Sequence, residues 1–447
     1  MEKFLSKIKK FVPPLMLEFL SPAYHWLYSF LGAIIYRFPS NHLILIGVTG
    51  TNGKTTVVHM LSSILSLAGK TAHISSVSFK IGDEEETNYY KMTMPGRFFL
   101  QKFLRRAVDA RCKYAVIEVT SEGIKQFRSN FLNFDVAAFI NLSREHIERH
   151  GSFENYRRAK QKLFKQLISQ PHKIVRGKKI FKTIVVNAND KNAENFTHYN
   201  ADEILGFAGE NIIVRNRIGK PIPLLIYRGV KSMKQGVGFS IDNNVYFLPV
   251  FGEFNVQNAV AAIAISHALQ IKKDIVKKAL ENFHGVSGRM EVVHQKPLVL
   301  VDYAHTPEAL KNLYSAVKLG IYNQRPRKLV CVLGSAGGGR DKWKRPELGK
   351  IADKFCDTIF ITNEDPYDEG PKSIMDDVAK GVKSKKPHLI LDRRMAIRRA
   401  LMSVQYDDAV VVSGKGSEPW MVISDNKKIS WDDRKVVRDE IKKLNKF

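Results

Sequence analysis

From Leu43 onward, short apolar runs of strand length alternate along the chain with stretches of helical periodicity. This alternation is typical of an α/β fold, in which helices cover a sheet with parallel strands. The strand candidates form two blocks, residues 41–284 and 285–447, and they are Leu43–Ile46, Ala115–Ile117, Val136–Phe139, Leu298–Val301, Leu329–Leu333, Thr358–Ile361 and Ala409–Val412. Between about residues 178 and 249 the segments are shorter and alternate, which predicts a β-rich subregion.

The first forty residues have a different character. A basic start that includes Lys3 and Lys10 precedes an uncharged, aromatic-rich stretch from Phe19 to Tyr36. The length of this stretch is at the lower limit for a membrane span, Pro22 interrupts it, and no small-residue cleavage site follows. We therefore expect a helix that covers the protein or lies on a membrane surface, rather than a membrane-spanning segment or a secretory signal.

A glycine-rich loop with the sequence Gly-Val-Thr-Gly-Thr-Asn-Gly-Lys-Thr-Thr (47–56) follows the first apolar run and precedes a helical pattern. Such glycines let backbone N–H groups turn toward a phosphate, while the lysine supplies positive charge and the following hydroxyl reaches Mg²⁺. The spacing deviates by one residue from the strict motif, because Val48 stands where the first glycine is expected. We predict that ATP binds to Gly50, Thr51, Asn52, Gly53, Lys54, Thr55 and Thr56.

Six further motifs follow in order at 118–123, 141–151, 156–160, 288–291, 302–307 and 414–418. Together with the loop they resemble the Mur ligase family, and within it the MurE-type tripeptide synthetases, over about residues 41–435. The resemblance implies a central P-loop NTPase-like domain (41–284) and a C-terminal Rossmann-like α/β domain (285–447). It also implies an ATP- and Mg²⁺-dependent ligase that joins an amino acid to a UDP-MurNAc-dipeptide-like precursor through an acyl phosphate. The family's N-terminal uridine-binding domain is not matched, so we expect that the precursor is bound differently, is a different molecule, or is presented at a membrane.

The same resemblance implies roles for single residues. The catalytic group comprises Lys54, Lys160, His146 and Arg289, and the metal group comprises Thr55, Glu118, His146 and Lys160 as a carbamate. Glu118 ends an apolar run expected to neighbour the strand of the phosphate loop, which would direct its carboxylate toward the metal. The nucleotide contacts are expected at Asn255, Asn258, Arg289, Asp302 and His305. Without the resemblance, each of three residues has a simpler alternative. His146 could be an exposed loop histidine, Lys160 could be an unmodified surface lysine, and Asn255 could cap a helix.

Substrate positions carry over in the same way. Those expected to contact the nucleotide-sugar peptide are Thr93, Met94, Pro95, Thr120, Ser121 and Arg128, of which Met94 departs from the usual threonine. Those expected to contact the amino acid are Arg340, Glu364, Asp365, Pro366, Tyr367, Gly414 and Glu418.

The amino acid itself is expected to carry a second amine. Arg340 can pair with its α-carboxylate, and Glu418 can accept from an amine. Relatives that select diaminopimelate usually show Asp-Asn-Pro-Arg where this chain has Glu-Asp-Pro-Tyr (364–367). A tyrosine and an acidic loop favour a distal ammonium over a distal carboxylate, so we expect lysine or a similar diamino acid. A solvated acidic turn with no role in selection is the alternative.

Composition adds little to this identification. The formal net charge of +27 attracts anionic partners without identifying them, and we expect no nucleic acid because no aromatic-interleaved basic motif is present. The three cysteines have no paired spacing, which predicts neither a disulfide framework nor a zinc site and fits the cytoplasm.

Two other functions remain open. A folylpolyglutamate-synthetase-like ligase would share the phosphate loop but fits the motifs at 143–146 and 414–416 less well. A noncatalytic, membrane-associated Mur homologue would not need Lys54, Glu118, His146 and Lys160.

Overall fold

The computed structural model of the protein describes residues 14–322 and 324–444, with side chains from Tyr24 onward. The basic start that includes Lys3 and Lys10 lies outside the described residues. The first helix, α1 (Pro14–Ile35), packs on the following domain, because the Ser29 hydroxyl donates to the Phe127 carbonyl over 2.6 Å and the Phe30 ring contacts Phe131. Within the described part of the chain, no helix is long and apolar enough to cross a membrane.

The first sheet contains eleven strands in the order β13-β12-β11-β10-β9-β6-β1-β5-β2-β3-β4, and a separate hairpin is formed by β7 and β8. In chain order the strands are β1 (Ile44–Thr49), β2 (Thr71–Ile74), β3 (Ser78–Ile81), β4 (Glu84–Thr87), β5 (Tyr114–Glu118), β6 (Val136–Phe139), β7 (Lys173–Val175), β8 (Lys178–Ile180), β9 (Thr183–Asn187), β10 (Glu203–Ala208), β11 (Leu224–Met233), β12 (Gly236–Ile241) and β13 (Asn244–Leu248). The helices of this part are α2 (Lys54–Ala68), α3 (Arg97–Asp109), α4 (Ser121–Lys125), α5 (Ile147–His150), α6 (Phe153–Ser169), α7 (Glu253–Ala268) and α8 (Lys273–Glu281), with 3₁₀ turns at Pro39–His42 and Ala193–Phe196.

The second sheet contains six strands in the order β14-β15-β19-β16-β17-β18, beside the hairpin of β20 and β21. Its strands are β14 (Glu291–Gln295), β15 (Leu298–Asp302), β16 (Leu329–Leu333), β17 (Thr358–Thr362), β18 (His388–Ile390) and β19 (Ala409–Ser413), followed by β20 (Trp420–Val422) and β21 (Lys428–Ser430). Its helices are α9 (Pro307–Leu319), α10 (Lys344–Phe355), α11 (Pro371–Ala379), α12 (Arg393–Met402) and α13 (Asp433–Leu444), with a 3₁₀ turn at Ser424–Asn426.

Apolar side chains on both faces hold each sheet between helices. Alternate residues of β1 point in opposite directions, so Ile44 and Ile46 enter one core while Leu45 enters the other. The central strands β2, β5, β1, β6, β9 and β10 are parallel, and antiparallel pairs are added at both edges. This is the α/β fold that the alternating pattern predicts, and the expected β-rich subregion contains β8 of the separate hairpin and the strands β9 to β13 of the first sheet.

The prediction for the cysteines is wrong for two of the three. Cys331 of β16 and Cys356 after α10 form a disulfide, with their Cα atoms 6.0 Å apart. Both residues are buried in the same core, whereas Cys112 is a buried free thiol. A separation of 25 residues does not indicate this pairing, because the strand and the helix that bring the two thiols together meet only in the folded domain.

Candidate active site

One cleft of about 450 Å³ lies between the two sheets and collects side chains from both. Such a position, beyond the carboxyl ends of parallel strands, is where open α/β sheets bind ligands. The predicted site residues that line it are Thr51, Asn52, Gly53, Lys54, Thr55, Thr56, Thr93, Glu118, Thr120, Ser121, Arg128, His146, Asn255, Asn258, Arg289, Asp302, His305, Arg340 and Glu418.

The phosphate loop is held in shape by Asn141, at the end of the strand beside it. The side-chain oxygen of Asn141 accepts from the backbone N–H groups of Thr51 (3.0 Å) and Asn52 (2.9 Å). Gly53 has a φ of 80°, and a Cβ there would lie 2.3 Å from the side-chain oxygen of Asn258. Glycine is therefore required at this position, because the backbone is left-handed and because a side chain would collide with the Asn258 amide.

Lys54 and Glu118 lie side by side at the base of the cleft. The parallel pairing of β1 with β5 places Glu118 opposite Val48, as the neighbouring-strand prediction requires. The Thr55 hydroxyl donates to the Glu118 carboxylate over 3.0 Å, and the Ser76 N–H donates to the same oxygen over 3.0 Å. The Lys54 ammonium is 4.0 Å from the other carboxylate oxygen. The result is a compact set of oxygen donors beside one positive charge.

Lys160 lies beneath the loop and is 1% exposed. Its amine donates to the Gly50 carbonyl over 2.6 Å, and Gly50 is itself buried. Burial lowers the pKa of the Lys160 amine well below its usual value, and the nearby Lys54 ammonium lowers it further. The surface-lysine alternative is therefore wrong, and the surroundings of this amine favour its neutral form.

His146 is the N-cap residue that precedes α5, has a left-handed backbone conformation with a φ of 57°, and is half-buried rather than fully exposed. Its ring centroid is 5.7 Å from that of Tyr156, whose hydroxyl hydrogen-bonds with the Thr51 hydroxyl over 3.1 Å. Burial and the nearby Arg340 lower the pKa of His146 well below its ordinary value. A neutral imidazole is the form that ligates metal ions.

Two asparagines of α7 are buried under the phosphate loop. The Asn255 amide donates to the Phe251 carbonyl over 2.8 Å, and the Asn258 amide donates to the Asn255 side-chain oxygen over 3.1 Å. The N-cap position of α7 is Gly252, so the capping alternative for Asn255 is wrong.

The part of the chain from residue 285 onward, which contains the second sheet and is called the C-terminal unit below, contributes Arg289 and Asp302 to the cleft; the part before it is the other unit. One Arg289 nitrogen is 3.4 Å from the hydroxyls of both Thr55 and Ser76, which places its positive charge beside the phosphate loop. The Asp302 carboxylate accepts from the backbone N–H of Met290 over 2.6 Å, and burial raises the pKa of this carboxyl group. Both units therefore complete the same site.

A buried ion pair joins the two units behind His146. The Lys344 ammonium is 2.7 Å from the Glu145 carboxylate, and each side chain is 3% exposed. The carboxylate of Asp341 accepts from the backbone N–H groups of Ile147 (3.2 Å) and Glu148 (2.9 Å), at the N-terminal end of α5. The position of the His146 loop thus depends on the C-terminal unit.

Two residues of the predicted precursor site lie outside the cleft. Met94 is buried, and its sulfur would lie 2.4 Å from a Cβ at Gly123. Pro95 is likewise buried. Arg128 donates to the Met94 carbonyl and, over 2.6 Å, to the side chain of Gln126. Met94 thus supports Arg128 through its backbone.

Beside the cleft, a smaller pocket is lined by Tyr303, His305, Ser335, Ala336, Arg340, Lys344, Glu364, Asp365, Gly414 and Glu418. The sequence predicts an acidic loop here, and two of the three acidic groups of the pocket, Asp365 and Glu418, are paired with lysines. The Lys415 ammonium donates to Asp365 (2.9 Å) and Glu418 (2.6 Å). The Lys91 ammonium also contacts Asp365 and is 3.3 Å from Glu418. Burial raises the pKa of Glu364, which favours its uncharged form.

Pro366 and Tyr367 are outside the linings of both pockets. Tyr367 instead hydrogen-bonds with Arg340. Its influence on the amino acid would therefore be exerted through that arginine.

Sequence reasoning did not single out six residues that shape the site, namely Ser76, Lys91, Asn141, Glu145, Lys344 and Lys415. Three of them, Asn141, Glu145 and Lys415, lie inside the recognised motifs, so the motifs contained a signal for them. Ser76, Lys91 and Lys344 carry no such signal, because their partners lie in other parts of the chain.

The family models for the Mur ligase middle domain and for the Mur ligase glutamate ligase domain match residues 48–266 and 288–416. A relative named UDP-N-acetylmuramoyl-L-alanyl-D-glutamate–2,6-diaminopimelate ligase, from Thermosynechococcus vestitus, is 35% identical over 92% of this chain and 79% of its own length. A solved structure with the same enzyme name is 27% identical, has a TM-score of 0.58, and covers 90% of this chain and 79% of its own.

A folylpolyglutamate synthase from Mycobacterium tuberculosis, solved with ADP and AMPPCP, has a TM-score of 0.66 over 90% of this chain and 95% of its own. At 16% identity this likeness concerns the fold alone. The family models cover most of the chain, and the identity to the named ligase extends over nearly all of it. The chain therefore belongs to the Mur ligase family, whose members are ATP-dependent ligases that form C–N bonds.

Proposed function

We propose that this enzyme joins a diamino acid to the free carboxylate of a UDP-MurNAc-dipeptide-like precursor, with an acyl phosphate as intermediate. The observation that carries the proposal is the convergence of Lys54, Glu118 and Arg289 in one cleft with the Thr93 and Arg128 side chains. The names of the similar ligases support the same precursor class. In this proposal residues 41–284 bind ATP, and residues 285–447 close over the site.

The residues at the base of the cleft fit Mg²⁺. Hard divalent cations prefer oxygen ligands, and the Glu118 carboxylate lies within hydrogen-bond distance of the Thr55 hydroxyl. His146 and a carbamylated Lys160 complete the proposed set. A neutral amine is the form that adds to CO₂, and the burial of Lys160 favours that form. When bound, the metal ion would supply neutralisation of phosphate charge.

In the first proposed step, a carboxylate oxygen of the precursor forms a bond to the γ-phosphorus of ATP, and the bond to the bridging oxygen breaks as ADP leaves. Negative charge on the transferring group is met by the ammonium of Lys54 and the guanidinium of Arg289. In the second step, the amine nitrogen attacks the acyl carbon, loses a proton, and expels phosphate. Closure of the C-terminal unit keeps water from hydrolysing the intermediate.

Phosphate release from ATP tests this function when a UDP-MurNAc-dipeptide and a panel of amino acids are supplied singly and together. We expect release only when the precursor and a diamino acid are both present, with a new amide detected by mass spectrometry. A folylpolyglutamate-type ligase would instead respond to a folate and glutamate. A noncatalytic homologue would release no phosphate with any pair.

The preference for lysine over diaminopimelate now rests mainly on Tyr367, because Asp365 and Glu418 are paired with lysines and burial favours the uncharged form of Glu364. Lys91 and Lys415 bring two ammonium groups close to Asp365 and Glu418, where a second carboxylate would also find positive charge. This arrangement makes diaminopimelate the second candidate. Competition between the two amino acids in the ligation assay decides between them.

We also propose that α1 associates with the anionic surface of a membrane, with the enzyme on its cytoplasmic side. Leu27, Leu31 and Ile34 follow one another at helical spacing and are 49%, 40% and 47% exposed. The basic residues that precede them in the sequence, among them Lys3 and Lys10, complement anionic headgroups.

Cosedimentation with phosphatidylglycerol and phosphatidylcholine vesicles tests this surface. We expect binding to the anionic vesicles, weakened by salt and by the Leu31→Gln, Ile34→Gln double variant. Ile213→Gln, which alters an apolar side chain that is 67% exposed elsewhere, is the matched control. Equal binding of all three proteins would contradict the proposal.

A further inference from the structure

Three side chains with metal-ligand chemistry meet one helical turn beyond Thr55, on the same face of α2 and farther from the phosphate loop. They are His59 of α2, His73 of β2 and Glu85 of β4, and one ligand atom of each lies within 4.8 Å of the others. None of the three belongs to the lining of the nucleotide cleft. The cluster is therefore a separate feature from the proposed magnesium site.

The Ser78 hydroxyl contacts all three groups. This oxygen is 3.0 Å from His73 Nε2, 3.4 Å from His59 Nε2 and 2.6 Å from Glu85 Oε1. His73 Nε2 and Glu85 Oε1 are 3.7 Å apart. Ligand atoms that lie about 2.0–2.2 Å from a tetrahedral ion are about 3.3–3.6 Å from one another. The three ligand atoms lie within 4.8 Å of one another, so the longest of their separations would have to shorten by about 1 Å when an ion binds.

The surroundings orient the ligands. The Ser62 hydroxyl hydrogen-bonds with His73 Nδ1 over 2.9 Å, which directs Nε2 of that ring toward Glu85. A hydrogen bond to the second ring nitrogen is the usual support of a metal-bound histidine. The Ser75 hydroxyl fixes the His59 ring through a 3.0 Å contact with Nε2. Coordination through that nitrogen requires the tautomer with its proton on Nδ1.

Electrostatics favour neutral imidazoles beside one carboxylate. Burial lowers the pKa of His59 to about 4 and that of His73 well below its ordinary value. The charged neighbours are Glu85, which attracts a cation, and Lys80, which is registered between His73 and Glu85 across the strands and repels one. Glu118 and Arg289 act on His59 from the nucleotide side with opposite signs. Glu85 is exposed, which gives a metal ion a route from solvent.

We propose that His59, His73 and Glu85 form a binding site for a divalent transition-metal ion of the zinc class. Two imidazole nitrogens and one carboxylate oxygen are a ligand set that zinc and cobalt accept, with water or the Ser78 hydroxyl at the fourth position. Bound metal would tie α2 to β2 and β4 across the Ser75–Ser78 turn. Ser76 of this turn contacts Thr55 and Glu118, so the ion would brace one wall of the proposed active site.

The test uses the full, tag-free chain after treatment with EDTA, with Co²⁺ as a spectroscopic probe and Zn²⁺ in calorimetry and thermal unfolding. We expect one equivalent of each ion, the visible bands of tetrahedral cobalt, and a rise in Tm with Zn²⁺. Glu85→Gln and His73→Gln should weaken Zn²⁺ binding by about tenfold or more. Lys80→Gln should strengthen it, because a repelling charge is removed.

Glu86→Gln is the matched control, because Glu86 is an exposed neighbour on the same strand but not a member of the cluster. It should bind Zn²⁺ as the unmodified protein does. Circular dichroism of each variant checks folding. The proposal is overturned if the unmodified protein binds no stoichiometric Co²⁺ or Zn²⁺, or if Glu85→Gln and Glu86→Gln bind equally well. In that event the cluster is a hydrogen-bonded serine–histidine group only.

Discussion

Replacing Lys344 by methionine would leave Glu145 without its ammonium partner where the two units meet. Breaking a buried pair by removing one partner costs about 3–5 kcal/mol, since a desolvated charge remains. When the units separate, water reaches Glu145 and the cost disappears. The substitution therefore destabilises the closed form, in which the two units are in contact, relative to the form in which they are apart. At about 1.4 kcal/mol per power of ten, we expect kcat/KM to fall by about a hundredfold or more.

The pH dependence gives this prediction a second measurement. Burial raises the pKa of Glu145, and the charge of Lys344 partly offsets that rise. Without Lys344 the pKa rises further, so a fall in pH protonates Glu145 in the variant before it does so in the wild type, and protonation removes the penalty. The ratio of variant to wild-type rate should therefore increase as the pH falls.

Ligation rates and small-angle scattering with bound nucleotide provide the assay. Lys342→Met, at a lysine side chain that is 62% exposed in the same loop, is the control and should behave like wild type. The Glu145→Gln, Lys344→Met double variant should recover much of the loss, because no buried charge remains. A Lys344→Met enzyme within about threefold of wild type, or a double variant no better than the single one, would refute the reasoning.

Lys54→Ala should reduce turnover by about a hundredfold or more, because the ammonium neutralises charge on the transferred phosphate, whereas Lys70→Ala should not; near-normal phosphate release by folded Lys54→Ala would rule out the phosphate-loop assignment. Lys160→Ala should lose activity and regain part of it with bicarbonate and a short carboxylic acid, unlike Lys162→Ala, which stays active; intact-mass analysis of the native enzyme should show the carbamate, and an unmodified lysine would contradict it. Tyr367→Arg should shift amino-acid competition toward diaminopimelate, because a guanidinium pairs with a distal carboxylate, and an unchanged ratio would show that this loop does not select.

Much of the fold could be predicted from the sequence because its causes are local. An apolar run such as Val136–Phe139 is buried wherever it pairs, and the strand has those bounds. The glycines and Lys54 between a buried strand and a helix define a phosphate loop by backbone freedom and charge. Glu118 could be placed beside that loop because the ends of neighbouring parallel strands meet at one edge of a sheet.

Tertiary structure alone decided which groups are paired. Asp365 and Glu418 look acidic along the chain, yet Lys91 from a distant loop compensates them. Cys331 and Cys356 meet because a strand and a helix pack in one core. Lys344 reaches Glu145 across two units, over a distance in sequence that no periodicity spans. Local patterns specify elements through burial and backbone geometry, whereas the partner of a charge depends on how those elements pack, and that is known only after folding.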